Sequence, residues 1–251
     1  TRKYKIKKVE YFFSKNNIIY FFKEGKYKSY GDKALFASLL EMKKATPRYC
    51  RISRLIRDIP SNEIKDGNII TNLRESLSHA LHKKNERCVC LRCREISRQK
   101  HNIPKNTKPT LYVDTYETIG GTEHCITLED PSRIAVYGFL RLRIPKKITP
   151  KTTNDNLWLK KANNQDILAA IPEIRNCAFI RELHVYGQLV KIGEQRNAAS
   201  QHKGYGKKLM AAAEKIIKQS GIKKSAVISG VGVRGYYRKL GYRKVGNYMI
   251  K

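Results

Sequence analysis

Acidic side chains are scarce in this chain of 251 residues: Asp and Glu number 21 against 52 Lys and Arg, a formal net charge of +31. A surface so one-sided repels itself at low salt unless a polyanion lies against it, so nucleic acid is the first partner to consider. Long hydrophobic runs are missing as well. No stretch approaches the roughly 20 apolar residues of a spanning helix and no signal peptide opens the sequence, which together predict a soluble, cytoplasmic protein with no membrane partner. Cysteine is sparse, six in all, and three of the six fall within six positions. That clustering speaks for a metal site in a reducing compartment and against a secreted disulfide framework. Internal repeats and low-complexity tracts are absent. The hydrophobic content of 41% is nonetheless enough for a real core, which excludes a disordered tail.

Along the chain, the first segment mixes strand-like aromatic runs (Tyr11 to Phe13, Ile18 to Phe22) with one helix, which Asp32 caps, Leu35, Leu39 and Met42 face inward, and Pro47 stops. A second helix is predicted from Asn72 to Lys84, with Asn72 and Glu75 as a capping box and Leu73, Leu77, Ala80 and Leu81 as its buried stripe. From Thr110 the pattern turns to β. Leu111 to Glu117, His124 to Leu128 and Ile134 to Leu142 read as an antiparallel meander, separated by Gly120-Gly121 and Asp130-Pro131. A polar insertion with Trp158 follows, then a strand at Phe179 to Tyr186. Next come an amphipathic helix with Leu209, Ala212, Ala213, Ile216 and Ile217 inward, a strand at Ala226 to Ser229, a short helix at Arg234 to Leu240 and a strand at Tyr242 to Ile250. This predicts an α+β domain over 109–251, preceded by a linker at 67–108 and a smaller segment at 1–66.

Three features carry chemistry. Gln201-His202-Lys203-Gly204-Tyr205-Gly206 lies between a strand and a helix, where glycines let backbone approach a ligand and the free amides of a helix start favour phosphate. A plain glycine turn is the competing explanation. Cys88, Cys90 and Cys93 offer three thiolates to one ion; zinc suits them better than an iron–sulfur cluster, because the spacing is no cluster signature. The fourth ligand stays open among Cys50, His82 and an unnamed residue, and a filled fourth position makes the metal structural. Cys125 and Cys177 are predicted as buried small hydrophobes. Arg48, Arg51, Arg54 and Arg57 recur every three residues, a ridge suited to phosphates or a solvated face, which Lys3, Lys5, Lys7 and Lys8 would extend. Glu182 and His184 alternate on a strand and so share a side; either is a candidate base, with a structural histidine as the alternative.

The order strand, Q-x-x-G-x-G, helix, strand, tyrosine-bearing short helix resembles the GNAT acetyltransferase fold, a central mixed sheet flanked by helices. R-E-L-H-V-Y-G at Arg181 to Gly187, A-V-I-S-G-V-G-V-R-G-Y-Y-R-K-L-G-Y at Ala226 to Tyr242 and R-L-I-R-D-I-P at Arg54 to Pro60 narrow this. Together they resemble the Elongator catalytic-subunit family, elongator complex protein 3, in its archaeal-type form. The resemblance implies an enzyme acting at C5 of the tRNA wobble uridine, with acetyl-CoA hydrolysis stimulated by tRNA. It further implies that residues 1–66 are the end of a radical S-adenosylmethionine α/β domain, 67–108 a zinc-binding linker and 109–251 the GNAT-like domain. It assigns the acetyl-CoA contacts to Leu183, His184 and Val185 along a strand edge and to Gln201, His202, Lys203, Gly204, Tyr205, Gly206 and Lys207 in the loop. Tyr236 or Tyr237 would face the thioester, Tyr237 being preferred, alongside Glu182 and His184 as catalytic candidates. Arg51, Arg54 and Arg57 would hold tRNA, and accessory subunits or a second copy are further partners the resemblance allows. The full family enzyme also takes an iron–sulfur cluster and S-adenosylmethionine, but the C-x-x-x-C-x-x-C spacing they need is absent here. Lysine acetylation of a protein, or RNA binding without catalysis, are the competing functions.

Overall fold

The computed structural model describes residues 18–55, 64, 66–67, 70, 72–146, 171–186 and 204–251. Its contacts divide the chain into two units, one of Thr1–Thr46 with Ile52–Cys88, the other of Pro47–Arg51 with Val89–Lys251. The division falls inside the cysteine loop. The segment Pro47–Arg51 goes with the second unit because its backbone is tied there. Leu91 N–H donates to the Cys50 carbonyl at 2.8 Å, and Arg94 and Arg141 donate to the carbonyls of Arg48 and Tyr49, each at 2.9 Å.

The first unit holds helices α1 (Ile18–Lys23), α2 (Asp32–Ala45) and α3 (Leu73–His82). The expected strand at Ile18 to Phe22 is therefore helical, its apolar run being too short for periodicity to separate the two. Asp32 is the first helical residue and Gly31 the N-cap, so the carboxylate serves the positive helix end without capping it. α2 turns Leu39, Leu40 and Lys43 inward while Met42 is exposed, one position round from the predicted stripe. Lys43 is fully buried, with its ammonium 3.2 Å from Ser78 Oγ on α3. On α3 the stripe Leu73, Leu77, Leu81 is buried as predicted, but Asn72 sits in the left-handed region (φ 59°) and forms no side-chain cap.

The second unit is built on one seven-stranded sheet of order β1-β2-β3-β4-β5-β7-β6. β1 (Thr110–Thr118), β2 (Gly121–Glu129), β3 (Val136–Pro145) and β4 (Cys177–Val185) form the antiparallel meander. A short helix α4 (Ile96–Gln99) precedes it, and α5 (Tyr205–Gln219) lies in the connection from β4 to β5 (Lys224–Val227), which therefore pair in parallel. After α6 (Arg234–Lys239) the predicted last strand splits into a hairpin, β6 (Arg243–Val245) and β7 (Tyr248–Ile250), turned at Gly246 with φ +54°.

Alternation along the strands gives two cores. Ile126, Leu128, Leu140, Leu142 and Ile180 pack under Leu209, Met210, Ala213 and Ile217 of α5. On the opposite face Leu91, Cys125, Val136, Phe139 and Tyr186 form a second cluster, joined by Tyr49, whose ring stacks 3.8 Å from that of Tyr116. Glu129, fully buried on this second face, takes Arg94 Nη1 at 2.8 Å and Arg133 Nε at 2.9 Å. Burial alone would raise its pKa, yet Arg133 and Arg94 hold the carboxyl below the ordinary value.

Candidate active site

β4 and β5 part company beyond Ile180. Their ladder ends at Ile180 opposite Val227, while β4 runs on to Val185, still paired with β3. The edge of β4 from Arg181 to Val185 on the β5 side thus has no partner strand among the described residues. Helix α5 opens at this end. Its N-cap, Gly204, adopts φ +72°, and no side chain among the described residues caps it. The bond from Lys208 N–H to the Gly204 carbonyl spans 3.1 Å, so the amides of Tyr205, Gly206 and Lys207 precede any intrahelical acceptor. The Tyr205 ring itself turns into the core, edge-on to Tyr137 at 6.1 Å. Gln201, His202 and Lys203 lie outside the described residues.

Glycine at 206 is a matter of space. A Cβ there would lie 2.7 Å from the Tyr236 hydroxyl and 3.8 Å from Val185 Cγ2, so the end of β4, the start of α5 and α6 converge on one point. The Tyr236 hydroxyl is buried with no hydrogen-bond partner among the described residues, and burial raises its pKa. Tyr237, the preferred one of the pair on sequence grounds, is packed in the main core, with its ring 5.3 Å from Tyr236 and 6.0 Å from Tyr242. The informative sequence signal was Gly206, one residue into a helix where no turn requires it.

Glu182 and His184 share a face, and a β-bulge decides which one. Arg141 is opposite Glu182 and Leu142 opposite Ile180, which leaves Arg181 as the extra residue and inverts the alternation. Ala178 and Ile180 face α5, and after the bulge Leu183 and Val185 do. Glu182 and His184 consequently lie on the other face, Glu182 accepting from Arg141 Nε at 3.1 Å and the His184 ring 4.6 Å from that of Tyr186. The bulge is anchored from two strands away: Glu123, nearly fully buried, accepts from Arg181 Nη1 at 2.6 Å and Arg143 Nη1 at 3.0 Å.

The sulfurs of Cys88, Cys90 and Cys93 lie within 4.8 Å of one another, and no disulfide joins them. Tetrahedral zinc with bonds of about 2.3 Å separates its thiolates by about 3.8 Å, so the loop fits that ion with little adjustment. Neither Cys50 nor His82 joins the group among the described residues. Arg94 braces the loop, donating from Nε to the Val89 carbonyl at 2.6 Å. Cys125 and Cys177 are buried, as predicted, and burial pushes the Cys125 thiol up to about 12.

The arginine run does not form a helical ridge. Arg48 donates to the Arg133 carbonyl at 3.1 Å and Arg51 to Glu95 Oε1 at 3.0 Å, which makes both of them structural anchors. Arg54 is exposed, and Arg57 and the amino-terminal lysines lie outside the described residues.

Comparison with known proteins bears on this geometry. Residues 167–242 match the acetyltransferase (GNAT) family. The tRNA uridine(34) acetyltransferase of Dehalococcoides mccartyi is 35% identical over 235 residues, 91% of this chain and 46% of that protein. The Methanocaldococcus jannaschii protein of the same name is 38% identical over 234 residues, and Elongator complex protein 3 of Drosophila melanogaster 35% over 232; the matches cover 40% and 38% of those proteins. The chain thus spans less than half the length of these curated relatives. The solved structure of archaeal Methanocaldococcus infernus Elp3 with an N-terminus deletion superimposes with a TM-score of 0.72 at 36% identity, over 92% of this chain and 51% of that one. No helix among the described residues is long and apolar enough to cross a membrane.

Proposed function

Starting from a chain homologous to the tRNA uridine(34) acetyltransferases and Elongator complex protein 3 over the part that carries the GNAT domain, we propose that it binds acetyl-CoA and hydrolyses its thioester when tRNA is bound, as one part of an enzyme modifying C5 of the wobble uridine. The observation that carries this reading is the buried Tyr236 hydroxyl, without a hydrogen-bond partner among the described residues, at the start of α5 where the strands separate.

The free edge of β4 at Leu183 to Val185 suits an extended amide-bearing arm, and the amides of Tyr205, Gly206 and Lys207 suit its diphosphate. Tyr236 then borders the thioester. A phenol is protonated near neutral pH and burial raises its pKa further, so Tyr236 has a proton to donate. Water adds to the carbonyl carbon, the carbon–sulfur bond breaks, and the departing sulfur takes the Tyr236 proton, which the added water restores. Products are the free thiol and acetate, the water's second proton passing to solvent.

Glu182 and His184 lie on the face of β4 away from α5 and Tyr236, out of reach of that water, so the step gives them no proton to carry. The cysteine loop, with thiols at positions 88, 90 and 93, would hold zinc as a structural ion. Radical chemistry forms no part of the proposal, since the C-x-x-x-C-x-x-C spacing does not occur in these residues.

The test is acetyl-CoA hydrolysis measured with and without tRNA. A rate that rises with tRNA supports the reading; a rate indifferent to tRNA, or no acetyl-CoA binding, overturns it.

A further inference from the structure

We infer that the sheet edge formed by β6 together with α6 is an RNA-binding surface, with Arg238, Lys239, Arg243 and Lys244 as its phosphate contacts. This rests on the functional reading only in taking RNA as the polyanion. Between Gly204 and Lys251 the chain carries twelve lysines and arginines and one acid, Glu214. That acid is already engaged at the far end of α5, 2.9 Å from Lys251 Nζ and 3.0 Å from the Tyr242 hydroxyl. Arg238, Lys239, Arg243 and Lys244 are all exposed, and none forms an ion pair among the described residues. Arg234 opens the same helix with a buried Nε that finds no acceptor among the described residues.

Basic residues on an edge strand also serve to block edge-to-edge pairing, and the two edges of this sheet separate that explanation from binding. β1, the other edge, is nine residues long and exposes Leu111 and Val113, so it is the strand most in need of such protection. It carries no lysine or arginine; its charged residues are Asp114 and Glu117. β6 has three residues, too few for an aggregation template, yet two are cationic. Charge is therefore concentrated where pairing protection is least needed. It also adjoins the site: α6 exposes Arg238 on one side and turns Tyr236 toward Gly206 on another, so RNA held on this edge lies against the same helix that borders the opening.

The test compares the protein with a variant carrying Arg238→Ala, Arg243→Ala and Lys244→Ala. Transfer RNA affinity is measured across a salt series, with acetyl-CoA affinity as the control for an intact fold. The expected result is at least a tenfold loss of tRNA affinity at moderate salt and a salt slope lower by about 0.7 to 0.9 per lost contact, with acetyl-CoA affinity unchanged. Equal affinity and slope in the two proteins overturn the surface assignment while leaving the functional reading standing. Absence of tRNA binding by the unmodified protein defeats both. Loss of binding to anionic vesicles, with tRNA binding retained, makes the patch a lipid contact and overturns the inference.

Discussion

The Cβ that Gly206 lacks would sit 2.7 Å from the hydroxyl of Tyr236. That closeness seats α6 against the start of α5 and leaves a phenol with no hydrogen-bond partner among the described residues where β4 leaves β5. Substituting Gly206→Ala forces the ring away without demanding a strained backbone. Alanine favours the helix by about 1 kcal/mol, so thermal stability is expected to hold while acetyl-CoA-dependent turnover falls at least about tenfold.

Tyr236→Phe removes a buried hydroxyl that has no partner among the described residues. Leaving such a group unsatisfied costs about 1–3 kcal/mol, so the variant should be as stable as the parent or more so in thermal melts. Turnover should drop by about 10²-fold or more. Tyr237→Phe, inside the core, should leave turnover within a few-fold; the reverse ranking would return the donor role to Tyr237.

Glu129 supplies a pH dependence. Its carboxyl is held below the ordinary value of 4.5 by Arg133 and Arg94 against the opposing effect of burial. A depressed pKa adds stability that is present above the unfolded value and is lost as pH falls through the folded one. Denaturant titrations from pH 6 downward should therefore show stability declining below about pH 4.5. Glu129→Gln should flatten that decline and cost about 3–5 kcal/mol at neutral pH, because Arg94 is left buried and without its counter-charge.

Cysteine chemistry should sort by environment. Cys90→Ser should lower zinc content measured by atomic absorption, whereas Cys125→Ser should not. With its thiol pushed up to about 12, Cys125 should resist alkylation at pH 8 in the folded protein. Full metal content in the Cys90 variant would remove that residue from the ligand set.

Two arginines of one run should behave differently. Arg51 is paired with the nearly buried Glu95, so Arg51→Ala should lower stability by about 1–3 kcal/mol. Arg54, exposed, should leave the melting temperature unchanged and show any effect only in the salt dependence of tRNA binding.

The sequence by itself determined the meander, the amphipathic α5 and the three-cysteine loop. Period-2 alternation, helical spacing and short thiol spacing are local properties that tertiary contacts only reinforce. It also determined the charge, which no packing can change. The tertiary structure decided what depends on two distant segments meeting. Arg181 is a bulge because β3 and β4 pair out of step there, and that single extra residue sends Glu182 and His184 to the face away from α5. Tyr236 rather than Tyr237 borders the opening because α6 lands against Gly206, thirty residues away in the chain, a contact no periodicity encodes. Arg48 and Arg51 became anchors for the same reason: whether a cation is solvated or buried depends on which carbonyl or carboxylate the fold brings to it, and that is a property of packing.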